Sequence, residues 1–525
     1  MVNRPSGVLA IGPVTSKTWC MQGKSDPDRR LLDAAALCRD LVEEGTVYAL
    51  LADHRSELFK DEDFADLFPS GRGRPSIPVD LVCAVMVLQA LEGLSDRDAV
   101  RQLKNRIDWK VACGLALDDP GFDFTNLTYW RGRLRRSARP DRIFDAVRSV
   151  VDATGVLAKK HRRALDSTIL DDAVATQDTV TQIISAARRV IAAVPAAARA
   201  QLGHDYSLPG KPIIDWSVRQ ERDDLVSALV ADAIALLDAV GGTELSAEQA
   251  DAVGMLALVS AQDVEPGGQP GTWRIARKVA TDRVISTVDP EARHGHKSVS
   301  VRKDGFKAHI CIEPDTGIVT AAKLTPANAP DGPAGLGLMA AEPEGLEVLA
   351  DSAYGSGATR TELKTKGHRL VIKPLPSHPA VPGGLHRDEF SVEHKARRVT
   401  CPAGHVAALS LSGVAKFAPH CSSCPLRARC TSAKARSFSV GPNDAELVTA
   451  RASWRDPEVA ATYRQHRPMA ERSISWLVAK GNRRLRYRGV ERNEAWLHVR
   501  VAALNLRRLL ALGLGHNGTW VLASA

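Results

Sequence analysis

Apolar residues in the N-terminal quarter of the chain recur at helical spacing, which predicts a series of helices. Residues 28–60 show this spacing, and a break rich in glycine, proline and arginine follows at residues 71–78. The apolar run over residues 79–91 predicts a second helix, and Ser95 stands where it would cap a third. An arginine-rich helix over residues 127–139 completes the pattern. We therefore expect an N-terminal all-α domain.

The pattern changes at His161, where segments typical of strands begin to alternate with helices. The strand-like segments are residues 162–170, 283–287, 307–312, 318–323, 346–351 and 370–373. An alanine-rich helical stretch lies among them over residues 178–240, and a final helical region covers residues 451–512. The turn signal at residues 314–317 joins two of the strands into a hairpin. This alternation predicts an α/β domain that contains a helical insertion.

Length and composition place the chain among large globular proteins. Its 525 residues suffice for two to four domains at roughly 100 to 200 residues each. Hydrophobic residues make up 44% of the chain, enough to form buried cores, which argues against global disorder. No run of about 18 apolar residues occurs, so we expect no transmembrane helix. Residues 1–17 lack the features of a signal peptide, and we expect a loose N-terminal extension there.

The positive charge of the chain is concentrated near its C-terminus. The formal net charge is +9, and residues 461–510 contain twelve Lys or Arg and only three Asp or Glu. A concentrated basic segment suits a polyanion such as DNA. The alternative is a solvated helix face that binds nothing.

A second group of basic residues lies in the arginine-rich helix of the N-terminal region. Its members are Arg131, Arg133, Arg135 and Arg136. A compact helical unit that ends in such a helix is typical of DNA-binding domains. A helical packing or dimerisation domain is the alternative.

Three carboxylates from distant parts of the chain are the candidate catalytic residues. Asp166 and Asp351 lie at or near the ends of predicted strands, and Glu471 lies in the late basic helix. Mg²⁺ prefers hard oxygen ligands and takes only a few carboxylates, which leaves room for water and phosphate. Two such ions about 4 Å apart stabilise the attacking and leaving oxygens in phosphoryl transfer.

Helical geometry connects Glu471 with Arg467. Four residues at about 100° each place the two side chains roughly 40° apart on one face. Arg467 is therefore placed to orient the carboxylate or to contact a phosphate beside it. An ordinary surface ion pair is the alternative.

Four of the nine cysteines fall within a short segment and form a candidate zinc site. They are Cys401, Cys421, Cys424 and Cys430. A Cys-x-x-Cys pair with two further cysteines nearby matches tetrahedral thiolate ligation of structural Zn²⁺, with His405 as a possible substitute ligand. An iron–sulfur cluster and free thiols are the alternatives. An odd cysteine count without a secretion signal favours a reducing cytosol.

Eight motifs in fixed order resemble those of bacterial insertion-sequence DDE transposases. They comprise residues 165–173, 178–181, 289–295, 303–309, 350–356, 467–471, 486–489 and 505–508. Asp351 lies within the motif Ala-Asp-Ser-Ala-Tyr-Gly-Ser, and Glu471 is the last residue of the motif Arg-Pro-Met-Ala-Glu. The resemblance extends over residues 58–510, and the ordered set is far more specific than any one motif.

The resemblance implies an RNase H-like mixed sheet flanked by helices and an activity in DNA transposition. It implies that Asp166, Asp351 and Glu471 are catalytic and hold Mg²⁺ or Mn²⁺, as two ions. Water would cleave the transposon end to free a 3′-hydroxyl, which would then attack target DNA. The partners would be double-stranded DNA, with its terminal repeats and target, and a second copy in a synaptic homodimer. The residues expected to contact DNA in the late basic region are Arg467, Lys480, Arg483, Arg484, Arg486 and Arg488.

Two positions depart from the family pattern. Tyr463 precedes Arg467 by four positions rather than three, and Arg464 occupies the usual place. Val478 stands where the family has a lysine, and Lys480 follows nine residues after the glutamate. On a continuous helix Lys480 would face away from Glu471, at about 180°.

These predictions together define a domain plan. We expect an N-terminal extension and helix over residues 1–57, a helical DNA-binding domain over 58–150, and a catalytic domain over 151–515. The catalytic domain would contain a helical insertion at about 178–262 and a cysteine-rich insertion at about 398–432. The predicted location is the cytoplasm, in association with the nucleoid. A non-catalytic zinc-containing DNA-binding protein and an RNase H-like nuclease are the rival functions.

Overall fold

The computed structural model describes residues 20–25, 31–296 and 302–523. The expected extension over residues 1–17 lies outside the described residues. The chain forms two compact units. Unit 1 consists of Met1–Val156 and His498–Ala525, and unit 2 of Leu157–Leu497.

The N-terminal part of unit 1 is almost entirely helical. Its elements are β1 (Cys20–Met21), α1 (Ala34–Cys38), α2 (Val47–Leu58), β2 (Arg74–Pro75), α3 (Val79–Glu92), α4 (Asp96–Asn105), α5 (Ile107–Cys113), α6 (Thr125–Arg136) and α7 (Arg142–Thr154). Short 3₁₀ helices occur at Arg39–Leu41 and Asp61–Leu67. Strands β1 and β2 pair in parallel.

Local sequence signals account for the helix boundaries in this part. Helix α3 is buried along nearly its whole length and ends at Gly93, whose φ of 68° is the left-handed conformation that glycine adopts without strain. Ser95 caps α4 by accepting the backbone N–H of Asp98 at 3.1 Å, as predicted. The helical segment predicted over residues 28–60 is interrupted, because Thr46 caps a new helix, α2, after a turn.

Unit 2 contains a mixed sheet, a helical bundle and a cysteine-rich segment. Its elements are β3 (Arg162–Asp171), α8 (Thr179–Ala193), α9 (Arg219–Val240), α10 (Ala247–Gln262), β4 (Val264–Pro266), β5 (Trp273–Ile275), β6 (Arg293–His296), β7 (Arg302–Glu313), β8 (Ile318–Pro326), α11 (Asp331–Met339), β9 (Glu347–Ala350), α12 (Gly357–Thr365), β10 (Arg369–Ile372), β11 (Ser391–Glu393), β12 (Arg398–Thr400), β13 (Val406–Ala408), β14 (Val414–Lys416), α13 (Ala418–Cys421), α14 (Arg427–Cys430), β15 (Ser437–Ser439), α15 (Asp444–Ser453) and α16 (Pro457–Val478). Further 3₁₀ helices occur at Pro195–Arg199, Ser352–Tyr354 and Arg387–Glu389.

The six-stranded sheet of unit 2 has β3 at its centre. Strand β9 pairs with β3 in parallel and carries β10 on its other side. Strand β7 pairs with the opposite edge of β3 in antiparallel register. The far edge of β7 pairs with β6 at its beginning and with β8 along the rest of its length. The unit is therefore a mixed α/β structure, as the alternating pattern predicted.

Helices α8, α9 and α10 form a bundle around their own apolar core. The residues at its centre include Ile183, Val226, Leu229, Leu236 and Leu256, all fully buried. Helix α10 begins with a capping box between Ser246 and Gln249. The bundle lies in the chain between β3 and β6, where the sequence predicted a helical insertion.

The strand predicted over residues 283–287 is wrong. The segment is buried, but it pairs with no neighbouring strand. Glutamine side chains satisfy its backbone instead: Gln182 donates to the Val284 carbonyl at 2.8 Å, and Gln262 accepts the Val284 N–H at 3.0 Å. Gln177 accepts the N–H of Thr287 at 2.8 Å. A buried backbone must be hydrogen-bonded, and side chains here replace the expected strand.

The chain ends with α17 (Val490–Ala511) and the hairpin of β16 (Leu514–His516) and β17 (Trp520–Leu522). Helix α17 begins in unit 2 and ends in unit 1. None of the helices in the described part of the chain combines the length and apolar character that crossing a bilayer requires.

Asp172 lies just beyond the end of β3 and forms a buried carboxylate pair with Asp289. One oxygen of Asp172 accepts the N–H of Ala173 at 2.6 Å, and the other has no hydrogen-bond partner. Burial first, and then the charge of the nearby Asp289, raise the pKa of Asp172 to about 6, and backbone N–H groups oppose the shift. Asp172 therefore holds a proton in the folded protein at pH values where an unfolded aspartate is ionised.

Replacing Gln182 by alanine should loosen the segment over residues 283–287. The change removes one donor to the Val284 carbonyl and a partner of Gln262, at a cost of about 1–3 kcal/mol. Hydrogen exchange of the segment should accelerate about tenfold or more. Gln220→Ala, which removes an exposed contact to Asp224, is the matched control and should leave exchange unchanged. Equal rates in both variants would contradict the structural role of Gln182.

Asp172→Asn should stabilise unit 2 at high pH only. The folded state binds more protons than the unfolded state between about pH 4 and pH 6, so the wild-type protein loses stability as pH rises through that window. An asparagine stays neutral and avoids this loss. The urea midpoint of the variant should exceed that of the wild type at pH 8 and match it at about pH 3.5, below the pKa of an unfolded aspartate. Asp238→Asn, at an exposed position, is the control, and a pH-independent gain for Asp172→Asn would refute the linkage.

Candidate active site

The parallel pairing of β3 and β9 brings two of the predicted catalytic acids together. Leu165 of β3 pairs with Ala350 of β9, so Asp166 and Asp351 follow at matching positions on adjacent segments. Neighbouring strands lie about 4.8 Å apart, which puts the two carboxylates side by side. Asp166 is only 8% exposed and accepts the N–H of Ser167, whereas Asp351 is half-buried and accepts the N–H of Ala353.

Helix α16 reaches both aspartates through one guanidinium group. Nη2 of Arg467 lies 2.7 Å from Asp166 Oδ1 and 4.0 Å from Asp351 Oδ2. Nη1 of the same side chain donates to the carbonyl of Leu165 at 2.6 Å. Arg467 is itself buried, on the face of α16 that also buries Ala470. The arginine therefore ties the helix to the central strand and balances part of the negative charge.

Glu471 lies one turn after Arg467 on the same face of α16. Tyr463 lies one turn before it, so the three side chains form a line along the helix. Burial raises the pKa of Tyr463, Arg467 lowers it, and the charges of Asp351, Asp166 and Glu471 raise it again. Glu471 is exposed and is open to solvent.

Burial also affects the ionisation of Asp166. It raises the pKa of this carboxyl, and the charge of Arg467 together with the N–H of Ser167 opposes the shift. A largely buried carboxylate whose negative charge is only partly balanced favours a cation beside it.

A polar network beneath Asp166 was not predicted from the sequence. Asp331, in the first turn of α11, accepts the Ser167 hydroxyl at 2.7 Å and the Lys307 ammonium at 3.1 Å. His309 is fully buried on β7 and lies 3.6 Å from the same carboxylate, and burial lowers its pKa to about 4. The only sequence signal was the i, i+2 spacing of Lys307 and His309, which places them on one face of a strand.

The basic segment after α16 packs on the far end of β3. Helix α16 ends at Val478, and Lys480 has a φ of 60°, so the helical angle expected between Lys480 and Glu471 does not apply. Arg483 donates to the Ile169 carbonyl at 3.1 Å, and Arg484 to the Ala173 carbonyl at 3.4 Å. The remaining cations of the segment, Lys480, Arg486 and Arg488, are exposed.

The arginines of α6 have mixed environments in unit 1. Arg131 pairs with Asp96, and Arg133 bonds to the Leu67 carbonyl while its guanidinium lies 4.7 Å from the centre of the Phe68 ring. Arg135 is half-buried and Arg136 is exposed. Contact of these four residues with DNA stays a prediction, as it does for the basic segment after α16.

The four clustered cysteines line one small cavity in unit 2. The cavity is also lined by His405 and His420, whose rings stack with centroids 4.4 Å apart. The N–H of Arg436 points to Sγ of Cys421 at 3.5 Å. Burial raises the pKa of Cys430, Arg436 lowers it, and the neighbouring cysteines Cys421, Cys401 and Cys424 raise it further. All four cysteines therefore border the same cavity.

Two transposase family models match the chain, each in a separate stretch. The model described as a transposase domain (DUF772) matches residues 38–133, and the transposase DDE domain matches residues 272–506. The second match contains Asp351 and Glu471, whereas Asp166 lies before it. Comparisons with curated proteins and with solved structures give no match.

The order of the two matches is the pattern of an insertion-sequence transposase with an N-terminal domain ahead of its DDE domain. Such enzymes bind DNA and use divalent metal ions. Together with the convergence of Asp166 and Asp351 at Arg467, the matches identify the protein as a DDE transposase, an enzyme of DNA transposition.

Proposed function

We propose that Asp166, Asp351 and Glu471 form the catalytic site, which cleaves DNA at transposon ends and joins it to target DNA. One observation carries this proposal: a single buried guanidinium, that of Arg467, contacts both aspartates, with Glu471 one turn further along the same helix face. The proposed site joins three acids from distant parts of the sequence. We further propose that the mixed sheet holding them is RNase H-like.

The donor set of this site fits Mg²⁺ or Mn²⁺, as two ions. It offers hard carboxylate oxygens and carries three negative charges against the one positive charge of Arg467. Divalent cations supply Lewis-acid activation and neutralise the charge that develops on the phosphate. Asp166 and Asp351 would share the ions from the sheet, and the exposed Glu471 would turn toward them from α16.

The reaction needs little covalent chemistry from the protein itself. In the first step a water oxygen attacks the phosphorus, the bond to the 3′ oxygen breaks, and that oxygen takes a proton. In the second step the oxygen of the freed 3′-hydroxyl attacks the phosphorus of a target phosphodiester and loses its proton. The bond from that phosphorus to the target's own 3′ oxygen breaks, and the released 3′ oxygen takes a proton. The acids would hold the cations that neutralise the charge on the phosphate, and Arg467 fixes the helix on which Glu471 lies.

DNA would be held by basic residues outside the acids. We propose that the exposed cations Lys480, Arg486 and Arg488 contact the phosphate backbone of the transposon end. The helical region over residues 58–150 would recognise terminal repeats, with α6 as its basic helix, and residues 151–515 would carry out catalysis. Two transposon ends would be paired by a homodimer.

Asp166→Asn, Asp351→Asn and Glu471→Gln should each reduce strand cleavage by at least about 100-fold, because each removes a charged cation ligand. Binding to DNA should persist, since the basic segments are unchanged. The measurements are nicking of a labelled transposon end in Mg²⁺ and a gel-shift assay with the same DNA.

Glu458→Gln is the matched control for the helix position, because Glu458 lies exposed in the first turn of α16. It should cleave as the wild type does. Robust cutting by any one of the three acid variants would remove that residue from the proposed site. Cleavage without joining to target DNA would favour a nuclease.

We also propose that Cys401, Cys421, Cys424 and Cys430 bind a structural Zn²⁺. The segment around them has only a small core, formed mainly by Phe390, Phe417 and Phe438, so a metal would add cohesion. Thiolate sulfurs suit zinc, and four protein ligands leave no open position for a reaction.

Cys424→Ser should lower the zinc content of the purified protein by about one ion per chain. Proteolysis within residues 381–440 should become faster, because the segment loses its cross-link. Elemental analysis and limited proteolysis provide the two readouts. Cys38→Ser, a half-buried cysteine in unit 1, is the control and should keep the zinc content. Unchanged zinc in Cys424→Ser would contradict the assignment.

A further inference from the structure

A third group of metal-ligand side chains lies in unit 1, whereas the acids and the cysteines belong to unit 2. His54, Glu57 and His516 place one ligand atom each within 4.8 Å of the others. We propose that these three residues form a zinc-binding site that fastens the C-terminal hairpin to helix α2.

Two separate elements supply the ligands. Helix α2 presents His54 and Glu57 at i and i+3, so both side chains project from one face. Strand β16 ends at His516, and its partner β17 begins at Trp520. Helix α2 and the hairpin are more than 450 residues apart in the chain, so their meeting is a tertiary contact.

The geometry needs only small movements to accommodate an ion. Nδ1 of His54 and a carboxylate oxygen of Glu57 already lie 2.6 Å apart, in a contact that a metal would replace. The two imidazole rings have centroids 4.6 Å apart and are tilted by 48°. Zinc binds histidine nitrogen and carboxylate oxygen at about 2.0–2.2 Å, which requires ligand atoms roughly 3.4 Å apart. Rotation of these surface side chains closes the difference.

The aromatic neighbour of the two histidines limits the space around the site but leaves it open to solvent. The indole of Trp520 packs edge-on against both imidazoles, at 4.7 Å from His516 and 5.5 Å from His54. The side chain of His54 is 25% exposed and that of Glu57 46%, so an ion has access from solvent. Two neutral imidazoles and one carboxylate give a borderline donor set, which favours Zn²⁺ over the Mg²⁺ expected at the acids.

The alternative is that the group consists of unrelated contacts: a helical His–Glu pair and an aromatic hairpin. The two cases differ measurably. A metal site binds zinc and holds β16 and β17 to α2, whereas unrelated contacts do neither.

Zinc titration of the full chain, stripped of metal by a chelator, tests the proposal. The wild type should bind one more zinc ion per chain than His516→Ala or His54→Ala. Zinc at about 100 times its dissociation constant should slow hydrogen exchange of residues 514–522 about 100-fold in the wild type, and not in the variants.

His378→Ala is the matched control, because His378 is exposed in unit 2 and far along the chain from the group. It should keep both the stoichiometry and the exchange protection. A far-UV circular dichroism spectrum equal to that of the wild type shows that the His516→Ala variant is folded. Equal zinc stoichiometry in His516→Ala and wild type, or equal protection of the hairpin, would overturn the proposal. Neither outcome depends on transposase activity.

Discussion

The buried guanidinium of Arg467 is the interaction on which the site of this transposase depends. It binds a carbonyl and a carboxylate of the central strand and reaches a second carboxylate on the neighbouring strand. Removing one partner of a buried ion pair typically costs about 3–5 kcal/mol, because the other charge remains buried and unpaired. The same contact sets where α16 lies on the sheet, and therefore where Glu471 lies relative to Asp166 and Asp351.

The sheet around these acids is held by polar contacts as well as by its apolar core. Asp331 gathers Ser167, Lys307 and His309 directly behind the strand that carries Asp166. Fixed neighbours of this kind limit the rotation of the carboxylate and so prepare the site before substrate arrives. On the other side of the unit, glutamine side chains hold a buried segment that forms no strand. Hydrogen bonds from side chains, rather than strand pairing, hold the backbone of that segment.

Three donor sets of different chemistry occur in this one chain. The acids offer hard oxygen, the cysteines offer soft sulfur, and the group in unit 1 offers imidazole nitrogen with one carboxylate. The exposed cations proposed to contact DNA phosphate, Lys480, Arg486 and Arg488, follow the helix that carries Glu471. We propose a catalytic use of metal at the acids and a structural use at the other two groups, in keeping with the softness of their ligands.

The sequence by itself predicted many of the helices and five strands of the six-stranded sheet, because capping residues and apolar periodicity are local signals; Ser95 and the strand around Asp166 are examples. Ordered motifs also indicated the family and pointed to the three candidate acids. Tertiary structure alone decided which residues touch them: Arg467 bonds to Asp166, Asp331 lies behind it, and residues 283–287 form no strand. It alone brought His516 to His54. Contacts between distant segments depend on strand register and helix placement, which leave no periodic trace in the sequence.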